Sequence, residues 1–182
     1  MLKIAATLRI ELLDVKPLVW RRFAVPANVL LPKLHKIIQA VMGWEDEHLH
    51  AFDFGVTVYG VPDDKLPDET TLPEKGVRLS KALGTGTEFE YQYDFGDDWR
   101  HRVVIEGLGV PDLALTLPVC LAGENACPPE DVGGPHAYPE FLAAIMDRTH
   151  DQHEDYRAWV GGVFDPAGFD VNAVNARLRA IR

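Results

Sequence analysis

The stretch Glu88-Phe89-Glu90-Tyr91-Gln92-Tyr93-Asp94-Phe95-Gly96-Asp97-Asp98-Trp99-Arg100-His101-Arg102-Val103-Val104-Ile105-Glu106 decides the fold. Phe89, Tyr91, Tyr93 and Phe95 alternate with Glu88, Glu90, Gln92 and Asp94. Beyond Gly96-Asp97-Asp98, Trp99, His101, Val103 and Ile105 alternate with Arg100, Arg102 and Val104. Successive side chains of a strand point to opposite faces, so this is a hairpin with one aromatic face to bury. Only an odd-length turn keeps both apolar faces on the same side. The spacing predicts a turn at Gly96-Asp97-Asp98, with Phe95 opposite Trp99, Tyr93 opposite His101, and Asp94 opposite Arg100 as an opposite-charge pair.

Outward from this hairpin the same logic finds other elements. Ile4, Ala6, Leu8, Ile10 and Leu12 alternate with polar residues over 2–13, and a second strand runs from Leu18 to Val25, ended by Pro26. Pro32 opens a helix that buries Leu34, Ile37, Ile38 and Val41 and stops at Gly43, with Lys33, His35, Lys36 and Gln39 on its wet face. Two short strands, His48 to Phe54 and Val56 to Tyr59, precede an acidic, Pro-rich loop over 61–76. Residues 107–135 read as loop with a short strand near Thr116 to Leu121. After them come a helix starting at Pro139 (Phe141, Leu142, Ile145 and Met146 inward), one opened by an acidic capping box at Asp151-Gln152-His153-Glu154, and one capped by Asp170. Strands first and helices later indicate an α+β fold, an antiparallel or mixed sheet of hairpins packed with an early helix and a C-terminal helical group. A single domain is expected over 1–182, sheet-rich to 107, loop over 108–135 and helical from 136.

The chain has 182 residues and a formal net charge of −10, with 47% hydrophobic residues. These values exclude a disordered chain, a collagen and a coiled-coil rod. No apolar run is long enough for a membrane helix or a signal peptide, and two cysteines suit a reducing cytosol, so a soluble cytoplasmic protein is expected. An acidic chain is a poor generic nucleic-acid ligand, since affinity there rests on Lys and Arg displacing counterions. Residues 1–36 nevertheless hold seven Lys/Arg against two acids, and Arg21 and Arg22 are the candidate nucleic-acid contacts.

Four groups of residues could carry chemistry. His48 and His50, two apart on a strand, should share a face and could chelate a divalent metal; the alternative is a pair of structural histidines. Asp94, Asp97, Asp98, Trp99 and His101 gather at the hairpin end, where carboxylates beside a histidine could hold an ion, while Asp also simply favours turns. Cys120 and Cys127 are spaced too widely for a zinc knuckle and suit buried thiols as well as metal ligands. Cys127-Pro128-Pro129-Glu130-Asp131-Val132-Gly133-Gly134-Pro135 could present Glu130 and Asp131 rigidly, or merely turn the chain into the next helix.

Trp20-Arg21-Arg22, Met42-Gly43-Trp44, His48-Leu49-His50-x-Phe52, Tyr93-Asp94-Phe95-Gly96-Asp97-x-Trp99-x-His101, Cys127-Pro128-Pro129-Glu130-Asp131-x-Gly133-Gly134 and Phe164-Asp165-Pro166 occur in order over nearly the whole chain. In these motifs the sequence resembles the plasmid pRiA4b open-reading-frame-three-like family, whose members often carry a resolvase-like passenger label. The resemblance implies a fold and a mobile-element neighbourhood. The residues argue against recombination: Ser80, the lone serine, has no arginine-rich nucleophile setting.

Three functions are therefore expected in descending order. The first is a non-enzymatic accessory or binding module using the 94–101 tip with the 127–135 loop, for a protein or small-molecule partner rather than a membrane. The second is a metal-dependent hydrolase with His48 and His50 plus Asp94, Asp97 or Glu130 as ligands and His101 as base. The third is weak nucleic-acid contact through the basic N-terminal hairpin.

Overall fold

Strand β1 (Ala5–Leu12) buries Ala6, Leu8, Ile10 and Leu12, as its alternation requires, and pairs antiparallel with β2 (Trp20–Pro26) on one side. On its other side lies β7 (Trp99–Gly109), the second arm of the hairpin that begins with β6 (Glu88–Tyr93). Beyond β6 come β3 (His50–Asp53), β4 (Val58–Gly60) and β5 (Thr71–Pro73); beyond β2 lies β8 (Val119–Glu124). The computed structural model describes residues 4–62, 70–110 and 116–181. In it the eight strands form one sheet ordered β5-β4-β3-β6-β7-β1-β2-β8, antiparallel throughout except where β5 runs parallel to β4. The helices are α1 (Leu31–Met42), the short α2 (Leu79–Leu83), α3 (Gly134–Met146), α4 (His153–Trp159) and α5 (Val171–Arg179). The fold is α+β.

One apolar cluster joins the layers: Leu8, Phe23, Tyr91 and Trp99 from the sheet meet Leu34, Ile38, Phe141 and Leu178 from the helices. Helix α1 carries Pro32 in its first turn, where a fixed φ is suited, and is capped by Gly43 in left-handed backbone, φ +104°, which donates its N–H to Gln39 O. Asp170 caps α5 as its sequence position predicts, Oδ1 accepting the N–H of Asn172 (2.8 Å) and Ala173 (3.4 Å). Among the described residues no helix is long and apolar enough to cross a membrane.

The hairpin differs in register from the expectation. Tyr93 pairs with Trp99 and Tyr91 with His101, so the turn spans Asp94 to Asp98. It is closed by a 2.7 Å bond from Asp98 N–H to Asp94 O, with both aspartates in left-handed backbone. Asp tolerates that region and its carboxylate can bond the backbone just ahead, as Asp94 Oδ1 does with Gly96 and Asp97. The turn remains odd, so the aromatic face survives; Phe95 is exposed, and Arg100 faces Gln92 in place of Asp94.

Other boundaries move for identifiable reasons. Helix α3 starts at Gly134, five residues before Pro139, because Pro135 already supplies a first-turn φ; Met146, its last residue, faces solvent. The capping box at 151–154 does not form, and Gln152 precedes α4 without a side-chain cap. Within the 61–76 loop, residues 63–69 lie outside the described residues and 71–73 form β5. His35 and Gln39 belong to the buried side of α1, where both bond the Tyr91 hydroxyl at 2.8 and 3.0 Å. At the sheet's far edge, Asn175 of α5 bonds both the N–H and the C=O of Cys120 (2.8 and 2.9 Å), occupying groups that another strand would otherwise pair.

Arg21 is in the core. It is 3% exposed, and its guanidinium donates to the carbonyls of Val41, Trp20, Glu124 and Asn125 at 2.8–3.0 Å while lying over Phe169. Burial lowers its pKa from the ordinary value. This placement removes Arg21 from the candidate nucleic-acid contacts; Arg22, the next residue, is exposed and pairs with Glu106. Arg21→Ala leaves four carbonyls without this donor and should destabilise by more than about 2 kcal/mol, whereas Arg22→Ala should stay within about 0.5 kcal/mol. Urea denaturation of both variants measures the contrast.

Candidate functional site

Three segments converge at the hairpin tip: the turn 94–98, the approach to β3 over 44–49, and the loop 127–134. Asp97 Oδ2 accepts the Gly133 N–H at 3.1 Å, and a Cβ on Gly134 would sit 2.2 Å from Asp97 O. Only glycine at 134, with φ +75°, lets the loop approach this closely. Trp44 stacks on Tyr93 with ring centroids 5.0 Å apart and donates its indole N–H to Pro128 O at 3.0 Å. Tyr93 in turn donates its hydroxyl to Glu130 in a very short hydrogen bond and accepts the N–H of Glu47 and His48. The second Glu130 oxygen accepts the Glu45 N–H at 2.7 Å. Burial and the adjacent carboxylate push the Tyr93 pKa well above its usual range, so the hydroxyl stays a donor.

Around this anchor His48, Asp94 and Asp131 come together. His48 Nε2 lies 3.0 Å from Asp131 Oδ1 and 3.6 Å from Asp94 Oδ2, and the three donor atoms fall within 4.8 Å of one another. Asp94 is buried and Asp131 is open to solvent. Asp98, at the end of the same turn, is exposed and is bonded by Gln92 and paired with Arg100. Among the described residues this is the one group of three or more His, Cys, Asp or Glu side chains placed to share an ion.

The remaining candidates are elsewhere. His50 does not join His48: its Nε2 bonds buried Glu74 at 3.0 Å and its ring stacks on His35 at 3.5 Å. Trp99 and His101 occupy the aromatic face and are fully buried, so neither belongs to a surface. His101 bonds Tyr91 O through Nδ1, leaves Nε2 without a partner, and is held neutral by burial with its pKa lowered to about 4; it reaches none of the clustered acids as a base. Cys120 and Cys127 are free thiols outside the cluster, and burial pushes both pKa values up. A further polar assembly joins His35 to Asp46 (2.6 Å), Tyr91 and Gln39. The helical spacing that puts His35 and Gln39 on one stripe was its only signal in the sequence.

The neutral histidines have a consequence for acid stability. His101 falls from an ordinary 6.5 to about 4 in the fold, so its contribution is complete above pH 6.5 and lost as pH drops towards 4. Stability should decline across that window by at most about 1.4 kcal/mol per pH unit for this group. Urea midpoints at pH 7, 5.5 and 4.5 should show a shallower fall in His101→Phe than in wild type.

Comparison with known proteins places these motifs in a lineage. The uncharacterised protein y4hQ of Sinorhizobium fredii (strain NBRC 101917 / NGR234) is 37% identical over 170 residues, spanning 92% of this chain and 87% of the relative. The crystal structure of MM3350, a protein of unknown function from Methanosarcina mazei Go1, superposes with a TM-score of 0.83 at 35% identity, covering 94% of this chain and 98% of that one. Residues 4–173 match the family described as plasmid pRiA4b ORF-3-like protein. The chain therefore belongs to the plasmid pRiA4b ORF-3-like family.

Proposed function

We propose that this chain is a binding module whose working surface is the joint between the hairpin tip and the 127–134 loop. The observation that carries the reading is the interlock of Gly133 and Gly134 with Asp97, which fixes the 127–134 loop, with Asp131, against the hairpin tip beside the Trp44–Tyr93 stack. Rigid presentation of polar groups lowers the ordering cost of binding, which is what a recognition surface needs. Beside it opens a cleft of about 620 Å³ lined by Trp44, Glu45, Pro128, Glu130, Phe169 and Arg177 among others, large enough for a peptide segment or small molecule. Four groups that nucleophilic or acid–base chemistry could use are committed elsewhere: Glu130 to Tyr93 and Glu45, His101 to the core, and both thiols to their protonated form.

A second reading, hydrolysis at a divalent metal, is favoured by the approach of His48, Asp94 and Asp131. The two differ in requiring turnover. The binding reading expects the purified chain to leave phosphoester, peptide and nucleotide substrates intact. It expects a ligand or partner from the native host to be retained by wild type and by an Arg102→Ala control, and lost by Asp97→Asn/Asp98→Asn. Turnover abolished by Asp97→Asn or Glu130→Gln would replace it with the hydrolase, and retention by the double variant would remove the tip from the binding surface.

A further inference from the structure

We infer that His48 Nε2, Asp94 Oδ2 and Asp131 Oδ1 are the protein ligands of a divalent transition-metal cation, with open positions facing solvent. The inference rests on the joint being the working surface, and specifies what sits there.

The first ground is spacing. Bonds of about 2.0–2.2 Å to imidazole nitrogen and carboxylate oxygen in tetrahedral geometry put neighbouring donor atoms about 3.3 Å apart. His48 Nε2 stands 3.0 and 3.6 Å from the two carboxylate oxygens, on either side of that figure, and all three atoms lie within 4.8 Å of one another.

The second ground is what these atoms do not bond. His48 Nε2 is buried and makes no hydrogen bond: Asp131 Oδ1 is close enough but lies off the N–H direction. Asp94 is 8% exposed, and its Oδ1 takes the Gly96 and Asp97 N–H at 2.9 and 3.2 Å. Its Oδ2 is left facing His48 with no hydrogen-bond donor among the described residues. No Lys or Arg among them pairs with Asp94 or Asp131, Arg100 being engaged by Asp14 and Asp98. Two carboxylates and an imidazole thus converge with no Lys or Arg among the described residues beside them. A cation held among the three atoms faces both carboxylates and the imidazole nitrogen at once.

The third ground is preorganisation. The Asp94 N–H bonds Leu49 O at 2.9 Å, fixing Asp94 relative to His48, and the Tyr93–Glu130 bond fixes the residue before Asp131. An imidazole among the ligands points to zinc or a similar first-row ion rather than to magnesium or calcium, which take oxygen sets. Three protein ligands leave at least one coordination position, on the exposed Asp131 side, for water or an oxygen donor of a partner.

Isothermal titration of the full chain with zinc chloride at pH 7.5 tests this. Wild type should bind one equivalent, and His48→Gln and Asp131→Asn should each weaken it more than about tenfold. Asp131 is exposed and Asn tolerates its left-handed backbone, so that variant should keep the wild-type circular dichroism spectrum. Magnesium should bind at least about tenfold more weakly than zinc. Failure of folded wild type to take zinc, equal affinity in the two variants, or preference for magnesium would each overturn the assignment. None of these outcomes touches the Asp97 and Asp98 dependence of partner retention, so loss of the metal and loss of the binding surface are separable results.

Discussion

The Tyr93 hydroxyl is the point on which the site depends. It is one atom on a fully buried ring, yet it donates to Glu130 of the 127–134 loop and accepts from Glu47 and His48 on the approach to β3. Hydrogen bonds to ionised groups contribute about 1.5–3 kcal/mol, and leaving such a carboxylate without its donor costs comparably. Glu130 completes the circuit through the Glu45 N–H. Three segments distant in sequence are thereby held within hydrogen-bond reach of a single side chain. Trp44 stacks against the ring that carries this hydroxyl.

The geometry around this anchor divides labour between a closed base and an open rim. Trp44, Tyr93, Trp99 and His101 pack as an aromatic floor with centroid separations of 5.0–5.9 Å. At the tip, Asp94 is buried with one oxygen spent on the turn, whereas Asp98 and Asp131 face solvent. Charge that is expensive to bury is thus kept at the edge, and the buried carboxylate of the tip, Asp94, is oriented by backbone donors. The stacked pair His35–His50, bonded to Asp46 and Glu74, belongs to the neighbouring polar core and supports the floor from the α1 side.

Much of this was legible in the sequence because the signals were periodic. The alternation from Ala6 to Leu12, the aromatic arms of the hairpin, the stripe of α1 with Pro32 and Gly43 at its ends, and Asp170 as a cap all appear where local rules put them. The two motifs carrying the acidic tip and the Gly133-Gly134 loop could be singled out as well. What could not be read was how they meet, since that depends on left-handed backbone at Asp94, Asp98 and Asp131 and on Gly134 touching Asp97. Arg21 misled because a charge at a strand position reads as solvent-facing until the four carbonyls that receive it are known. His48 and His50 misled for the opposite reason. Their shared spacing suggested one ligand pair, and tertiary packing gave each a different carboxylate.

A double-mutant cycle on Tyr93→Phe and Glu130→Gln, read by urea denaturation at pH 7, tests the anchoring role most directly. If the Tyr93–Glu130 bond holds the loop to the hairpin, the two losses should fall short of additivity by at least about 1 kcal/mol. Additivity within about 0.3 kcal/mol would mean that the loop is held without this bond, and would contradict the account of the site given above.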